Sequence, residues 1–237
     1  LNTDKAAENT FGFKAGDESW EFLNNTSDLT LFKTGDMTGW ENNIEARYPD
    51  GNTDITNVRK VFEWVNSCKG NIEKFKSEFD QYFDKEQVVF YALITLALGM
   101  TDQRAKNMFL TKIGNGRWMF IFYDNDTLIP INNEAVIEFL YNVEIQDTIG
   151  NKNVWNGADS EFWKLVEEAF ADDIREMYYT IRQRGILSYD RMIEYLYKRQ
   201  AEKWSEAIYN EDGYFKYEQP LTEGYLDYSQ SHENPQI

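Results

Sequence analysis

Three polar side chains in the middle of the chain have the types and order of a metal-dependent phosphoryl-transfer site. Asp102 and Asn107 stand five positions apart, and Asp124 follows after a short apolar run. In sites of the protein-kinase type, one Asp receives the proton of the substrate hydroxyl, while an Asn and a later Asp hold the magnesium ions that bridge the nucleotide phosphates. The order of residues therefore predicts Asp102 as the base and Asn107 and Asp124 as metal ligands.

A simpler interpretation of the same residues stays open. An Asp followed five positions later by an Asn arises often by chance, so Asp102 and Asn107 could be turn and capping residues. Asp124 and Asp126 could solvate a loop. Lys106 is either a solvated cation or a contact to phosphate and transition-state charge. The Asp-x-Asp pattern favours a site because it follows a predicted hairpin and a predicted buried helix.

The elements around these residues would bring them to one end of a β-hairpin. Met108–Leu110 and Trp118–Tyr123 are predicted strands, and the segment between them contains Gly114-Asn115-Gly116, which is favourable turn chemistry. Trp118, Phe120 and Phe122 alternate and are expected to face the core. A hairpin with this turn returns Asp124 to the end from which the first strand began.

Apolar residues at helical spacing dominate the rest of the chain. Asp84, with Gln87 three positions later, predicts a capped helix that carries Val88–Leu98 and is apolar nearly all round, so it should be central and buried. Gly185 is expected to end a helix and Ser188 to begin another. Further helices are predicted from these periodic sets: Ile55, Val58, Phe62, Val65; Ile72, Phe75, Phe79, Phe83; Phe162, Leu165, Val166, Ala169; Ile174, Met177, Ile181.

The resulting fold class is α+β and mostly helical, with short N-terminal strands. Trp20–Leu23, Leu29–Phe32 and Ile44–Tyr48 are predicted as short strands or extended segments. We expect a short-strand segment over 1–55 that is the remnant or edge of a larger domain, a helical lobe over 56–210, and an extended segment over 211–237. The sequences at both ends of the chain lead us to expect that it is a segment of a longer polypeptide.

Composition narrows the classes of function. The 237 residues are 42% hydrophobic, enough for a packed core, and the formal net charge is -17. Such acidity argues against bare nucleic acid as a partner, and a polyphosphate ligand would need metal ions to offset the carboxylates. Cys68 and His232 are the only residues of their types, which argues against disulfides and cysteine or histidine metal sites. No membrane span is predicted.

The stretch from about 84 to 204 resembles the CotH family, named for a spore-coat protein and known as atypical, kinase-like enzymes. The resemblance rests on Asp102 with Lys106-Asn107, on Tyr123–Thr127, on Asn132-Asn133-Glu134 and on the helical run 160–190. It implies a kinase-like lobe that uses Mg²⁺ and ATP. It further implies catalytic roles for Asp102 and Lys106, and metal and cofactor binding by Asn107, Asp124 and Asp126.

Two further segments resemble, in sequence, the CotH-like domains of large structural proteins from tailed bacteriophages of gut bacteria. These segments are Glu18–Asn25 and Glu45–Gly51. This similarity favours a virion component of the tail or head–tail region, without turnover, whose partners are other virion proteins or further copies of the chain. The alternative is an active Mg²⁺/ATP-dependent kinase or nucleotidyl transferase in the bacterial cytoplasm or spore coat. A third hypothesis, a surface adhesion or glycan-binding module, rests only on the aromatic content.

One departure from kinase-like enzymes concerns the nucleotide phosphates. Those enzymes hold the α- and β-phosphates with a strand lysine that pairs with a glutamate. No such lobe can be placed in residues 1–50, where Lys14 and Lys33 lack a convincing strand–helix context. The lobe is therefore expected to lie upstream of Leu1 or to be lost.

Overall fold

A computed structural model describes residues 8, 12–24, 27–100, 103–104, 106–114, 116–125 and 160–194. The chain divides into two compact units, Leu1–Tyr178 and Tyr179–Ile237. Asp102, Asp126, most of the irregular stretch over 125–157 and the C-terminal segment over 211–237 lie outside the described residues.

An antiparallel sheet of four strands forms one layer of the first unit. Its strands are β1 (Glu18–Phe22), β2 (Ile44–Tyr48), β3 (Met108–Lys112) and β4 (Trp118–Phe122), in the order β2-β1-β3-β4. The predicted central hairpin is confirmed as β3–β4, in which Met108 pairs with Phe122 and Lys112 with Trp118. The strands predicted near Trp20 and Ile44 are also confirmed, and β1 joins them to the hairpin by pairing with both β2 and β3.

The helices confirm a mixed helix-and-sheet fold, while its kinase-like detail stays a prediction. The first unit contains α1 (Ser27–Thr34), a 3₁₀ turn (Trp40–Asn42), α2 (Thr56–Ser67), α3 (Ile72–Tyr82), α4 (Lys85–Ala97) and α5 (Glu161–Ala169). Helix α6 (Ala171–Gln183) crosses the boundary between the units, and α7 (Tyr189–Ile193) lies in the second. Among the helices described, none has the length and apolar character needed to cross a bilayer.

The prediction of a strand over Leu29–Phe32 was wrong, because these residues belong to α1. A short apolar run carries no decisive period, so tertiary contacts decide its conformation. Leu31 and Phe32 are both fully buried, and the Phe32 ring packs on Phe62 of α2 at 4.9 Å. Gly35 stops the helix with a φ of 64° that favours glycine, while its N–H donates to the Leu31 carbonyl at 2.9 Å.

Helix α4 connects the core to the hairpin. The Asp84 carboxylate accepts the Gln87 N–H at 3.1 Å, so the predicted cap is present. The Asp84 N–H in turn donates to the Trp118 carbonyl at 2.9 Å, which fixes the start of α4 beside the start of β4. Burial is less complete than predicted, because Phe90 and Leu96 are each 38% exposed. The helix is therefore central, with one open side.

Aromatic side chains fill the space between the helices and one face of the sheet. Trp118 and Phe120 are buried and Phe122 packs against the same cluster, as their alternation predicted. Three further tryptophans lie in this core, Trp20, Trp64 and Trp163, and Trp40 packs against it. These tryptophans therefore take part in core packing, whereas Trp155 and Trp204 lie outside the described residues. The glycan-binding hypothesis stays untested.

Candidate functional site

The hairpin brings two of the predicted site residues together. Asn107 directly precedes β3, and Asp124 lies two residues beyond the end of β4. Because Met108 pairs with Phe122, both residues lie at the hairpin end opposite the turn. The Asn107 amide nitrogen donates to Oδ2 of Asp124 at 3.3 Å. Asn107 is half-buried and Asp124 is exposed, so the pair can be reached from solvent.

Both members of this pair have left-handed backbone conformations. Asn107 has a φ of 55° and Asp124 a φ of 50°, the only described residues other than glycine with positive φ. Asn and Asp tolerate this region better than most residues, but it remains unfavourable for any side chain. Such conformations persist only where surrounding contacts impose them, and they concentrate at functional sites. The backbone therefore marks the same two residues that the sequence pattern selected.

Replacing Asn107 with alanine should destabilise the protein by about 1 kcal/mol, because alanine keeps a Cβ in the left-handed region and has no polar group to compensate. Replacing it with glycine should cost less than the alanine variant, although glycine deletes the same amide. Urea unfolding of the wild type, Asn107→Ala and Asn107→Gly tests this order. Equal stability of the two variants would show that the backbone at this position is not strained.

Gln103 is a buried residue whose side chain hydrogen-bonds to the backbone of the site. Its side chain is fully buried, and its amide nitrogen donates to the carbonyl oxygens of Tyr123 at 3.2 Å and Asp124 at 2.7 Å. Its own carbonyl accepts a hydrogen bond from the Tyr91 hydroxyl on α4. Sequence reasoning missed this residue, because a polar side chain in a loop is usually exposed. Its position between Asp102 and Asn107 was the only signal available.

Arg104 is a second buried polar residue that the sequence did not reveal. Its guanidinium donates to Oγ1 of Thr95 at 2.8 Å and to the carbonyl of Ala92 at 2.7 Å, and it pairs with Glu167 of α5. It also lies over the Trp163 ring, 4.9 Å from its centroid. Burial lowers the pKa of Arg104, and the Glu167 carboxylate opposes that effect. These contacts fix the segment before Asn107 against α4 and α5.

Of the three remaining predicted site residues, the structure describes only Lys106. Lys106 is half-buried and directly precedes Asn107, so its backbone belongs to the same loop. Asp102, predicted as the base, and Asp126, predicted as an assisting carboxylate, lie outside the described residues. The structure therefore unites Asn107 with Asp124, and the catalytic and binding roles stay predictions.

The donor chemistry of the pair fits a divalent cation such as Mg²⁺. Such ions prefer carboxylate and amide oxygens, and Asp124 and Asn107 offer one of each. A cation would replace the hydrogen bond between them, with Asn107 then presenting its amide oxygen. Within the part of the chain that the structure describes, no group of three or more His, Cys, Asp or Glu side chains could hold a metal ion. Any complete ligand set would therefore need Asp126 or another group as well.

A lysine–glutamate pair does occur in the sheet, but it lies away from this site. Lys112 Nζ lies 3.1 Å from Oε1 of Glu18, and the Lys112 ammonium lies over the Trp118 ring. Lys112 is four residues along β3 from Met108, which corresponds to a distance of about 14 Å. This pair consequently lies at the turn end of the hairpin and cannot hold phosphates beside Asn107.

The family of the protein is given by its sequence, and the mixed helix-and-sheet fold is consistent with that family. A family model described as CotH kinase protein matches residues 17–211, which is more than half of the chain. The chain belongs to this family. No curated protein and no solved structure matched it. The matched region includes β1 and β2, so the family's domain takes in the N-terminal strands as well as the helices.

Proposed function

We propose that this chain is a metal-dependent phosphotransferase of the CotH type, which transfers a phosphoryl group from ATP to a hydroxyl group. The observation that carries the proposal is the contact between Asn107 and Asp124, each held in a left-handed backbone conformation. Strain of this kind costs on the order of 1–3 kcal/mol per residue, and it is commonly associated with functional sites. The family match supports the same class of protein.

Each predicted residue has a defined role in this proposal. Asn107 and Asp124 would hold a divalent cation through oxygen atoms, with Asp126 as a further carboxylate. The cation would neutralise the charge of the transferred phosphate and of its neighbour. Asp102 would accept the proton of the attacking hydroxyl, and Lys106 would contact phosphate charge. A bound cation would also explain how so acidic a chain, at -17, accommodates a polyphosphate.

The proposal is tested by measuring the binding of Mn²⁺ and ATP by calorimetry and the transfer of labelled γ-phosphate to hydroxyl-bearing peptides. Asp124→Asn keeps the side-chain shape and tolerates positive φ, but it removes the charge, so metal affinity should fall at least about tenfold. Asp102→Asn should abolish transfer and retain metal binding, because Asp102 is assigned to the proton and not to the metal.

Two controls separate ligand loss from misfolding. Asn107→Gly relaxes the backbone and deletes the ligand, so it should lose metal without losing stability relative to Asn107→Ala. Asp80→Asn, in an exposed ion pair with Arg117, should leave binding unchanged. If the protein at its full natural length showed no metal-dependent ATP binding, the phosphotransferase proposal would be wrong.

The virion role expected from the sequence stays a prediction. The match over residues 17–211 supports the CotH domain and carries no information about a particle, a tail or a phage. Turnover in the assay above would contradict the expectation of a component without activity. Detection of the chain in purified virions would support it independently of the enzymatic result.

A further inference from the structure

The side chain of Gln103 makes contacts that a simple core residue would not need. Its amide reaches the two carbonyls on either side of the Asp124 Cα, those of Tyr123 and of Asp124 itself. These carbonyls belong to the two peptide groups whose relative rotation defines φ and ψ of Asp124. The Gln103 amide therefore restrains the two peptide groups that flank the Asp124 Cα. The φ of Asp124, 50°, is otherwise unfavourable.

The chemistry of glutamine matches this task. A primary amide has two N–H donors, and here it meets two carbonyl acceptors. Glutamate has no donor when ionised, and lysine would place an unpaired charge where Gln103 is fully buried. Methionine has similar length and volume and no donor at all. The position therefore favours glutamine because of its two N–H donors. A methionine at the same position would test the donors separately from the shape of the side chain.

The backbone of Gln103 is held independently of its side chain. Its carbonyl accepts the Tyr91 hydroxyl, and Tyr91 is fully buried on α4, stacked on Phe122 of β4 at 4.4 Å. The next residue, Arg104, is bonded to α4 and α5. The backbone of Gln103 is therefore anchored to the helices, and its side chain in turn positions the backbone of Asp124.

We propose that Gln103 is a positioning residue of the site: its buried amide sets the backbone of Asp124 and so the direction of the carboxylate that binds metal. This inference rests on the proposed function, and it adds a residue that acts through Asp124 and not on the substrate. Residues that orient metal ligands typically change metal affinity about 10–100-fold when they are replaced.

The test compares Mn²⁺ affinity in the full chain for the wild type, Gln103→Met and Val61→Ala, measured by the paramagnetic signal of free Mn²⁺. Gln103→Met keeps the volume and removes both donors, and it should weaken Mn²⁺ binding at least about tenfold. Val61 is fully buried on α2 and has no part in the site, so Val61→Ala lowers the melting temperature and should retain wild-type affinity. Wild-type affinity in Gln103→Met overturns the inference, because the residue would then be structural alone.

A second variant covers the case in which Gln103→Met does not fold. In Gln103→Asn the primary amide is kept, but the side chain is one methylene shorter, so its two donors can no longer reach both carbonyls of the Asp124 backbone. The Mn²⁺ affinity of this variant should fall below that of the wild type, and wild-type affinity in the folded variant would contradict the inference. If the wild type itself binds no Mn²⁺, the proposed function fails and this inference fails with it; a wild type that binds, with variants that bind equally, overturns the inference only.

Discussion

Replacing Phe162 with alanine is expected to destabilise the protein by about 4 kcal/mol, the usual cost of deleting a large buried aromatic side chain. Phe162 is fully buried at the start of α5, and its ring contacts aromatic rings from helices and from the sheet. The centroid distances are 4.8 Å to Phe32, 4.9 Å to Phe83 and 5.4 Å to Phe120. No neighbouring side chain can move into the space without losing its own contacts, so a cavity would remain.

Urea unfolding of Phe162→Ala and Phe90→Ala measures this effect against a matched control. Phe90 has the same side chain on α4, but it is 38% exposed and approaches Phe122 at 6.3 Å. Its removal should cost about 1 kcal/mol, because much of its surface already contacts water. Similar losses in the two variants would show that the aromatic cluster is loosely packed and can close around a missing ring.

The elements that the sequence predicted well are those with strong local signals. Asp84 and Gln87 predicted where α4 begins, and the glycines around position 115 predicted the hairpin, since capping and turn chemistry act within a few residues. The meeting of Asn107 and Asp124 then followed from hairpin geometry alone. Leu29–Phe32 failed because a short apolar run is compatible with either structure, and its contact with Phe62 of α2 decides between them.

The missed residues are those whose roles depend on contacts distant in sequence. Gln103 bonds to residues 20 and 21 positions away, and Arg104 pairs with Glu167, 63 positions away. No local pattern indicates that a Gln-Arg pair in a loop points inward, because both side chains are normally solvated. The sequence therefore predicted the residues proposed to bind metal, and the structure was needed to find the residues that hold them.

Replacing Glu167 with methionine is expected to destabilise the protein by about 2–3 kcal/mol, because it removes the carboxylate that pairs with a buried guanidinium. The Arg104 side chain is 2% exposed, whereas that of Glu167 is 43% exposed. Water can therefore replace part of the lost interaction, which places the cost below that of a fully buried pair. Glu167→Gln should cost less, since its amide oxygen can still accept the Arg104 N–H.

The decisive measurement is a double-mutant cycle by urea unfolding, with Arg104→Met, Glu167→Met and the two combined. Removing Arg104 frees Glu167 to turn toward water, while removing Glu167 leaves the charge of Arg104 buried. The combined variant should therefore be more stable than Glu167→Met alone by about 1 kcal/mol, although it carries an additional substitution. Additive losses would mean that the hydrogen bonds to Thr95 and Ala92 suffice for Arg104. Recovery of stability in the combined variant would show that the unpaired charge of Arg104 causes the loss in Glu167→Met. Glu167 would then be the group that stabilises the buried charge of Arg104, which lies three residues before Asn107 in the chain.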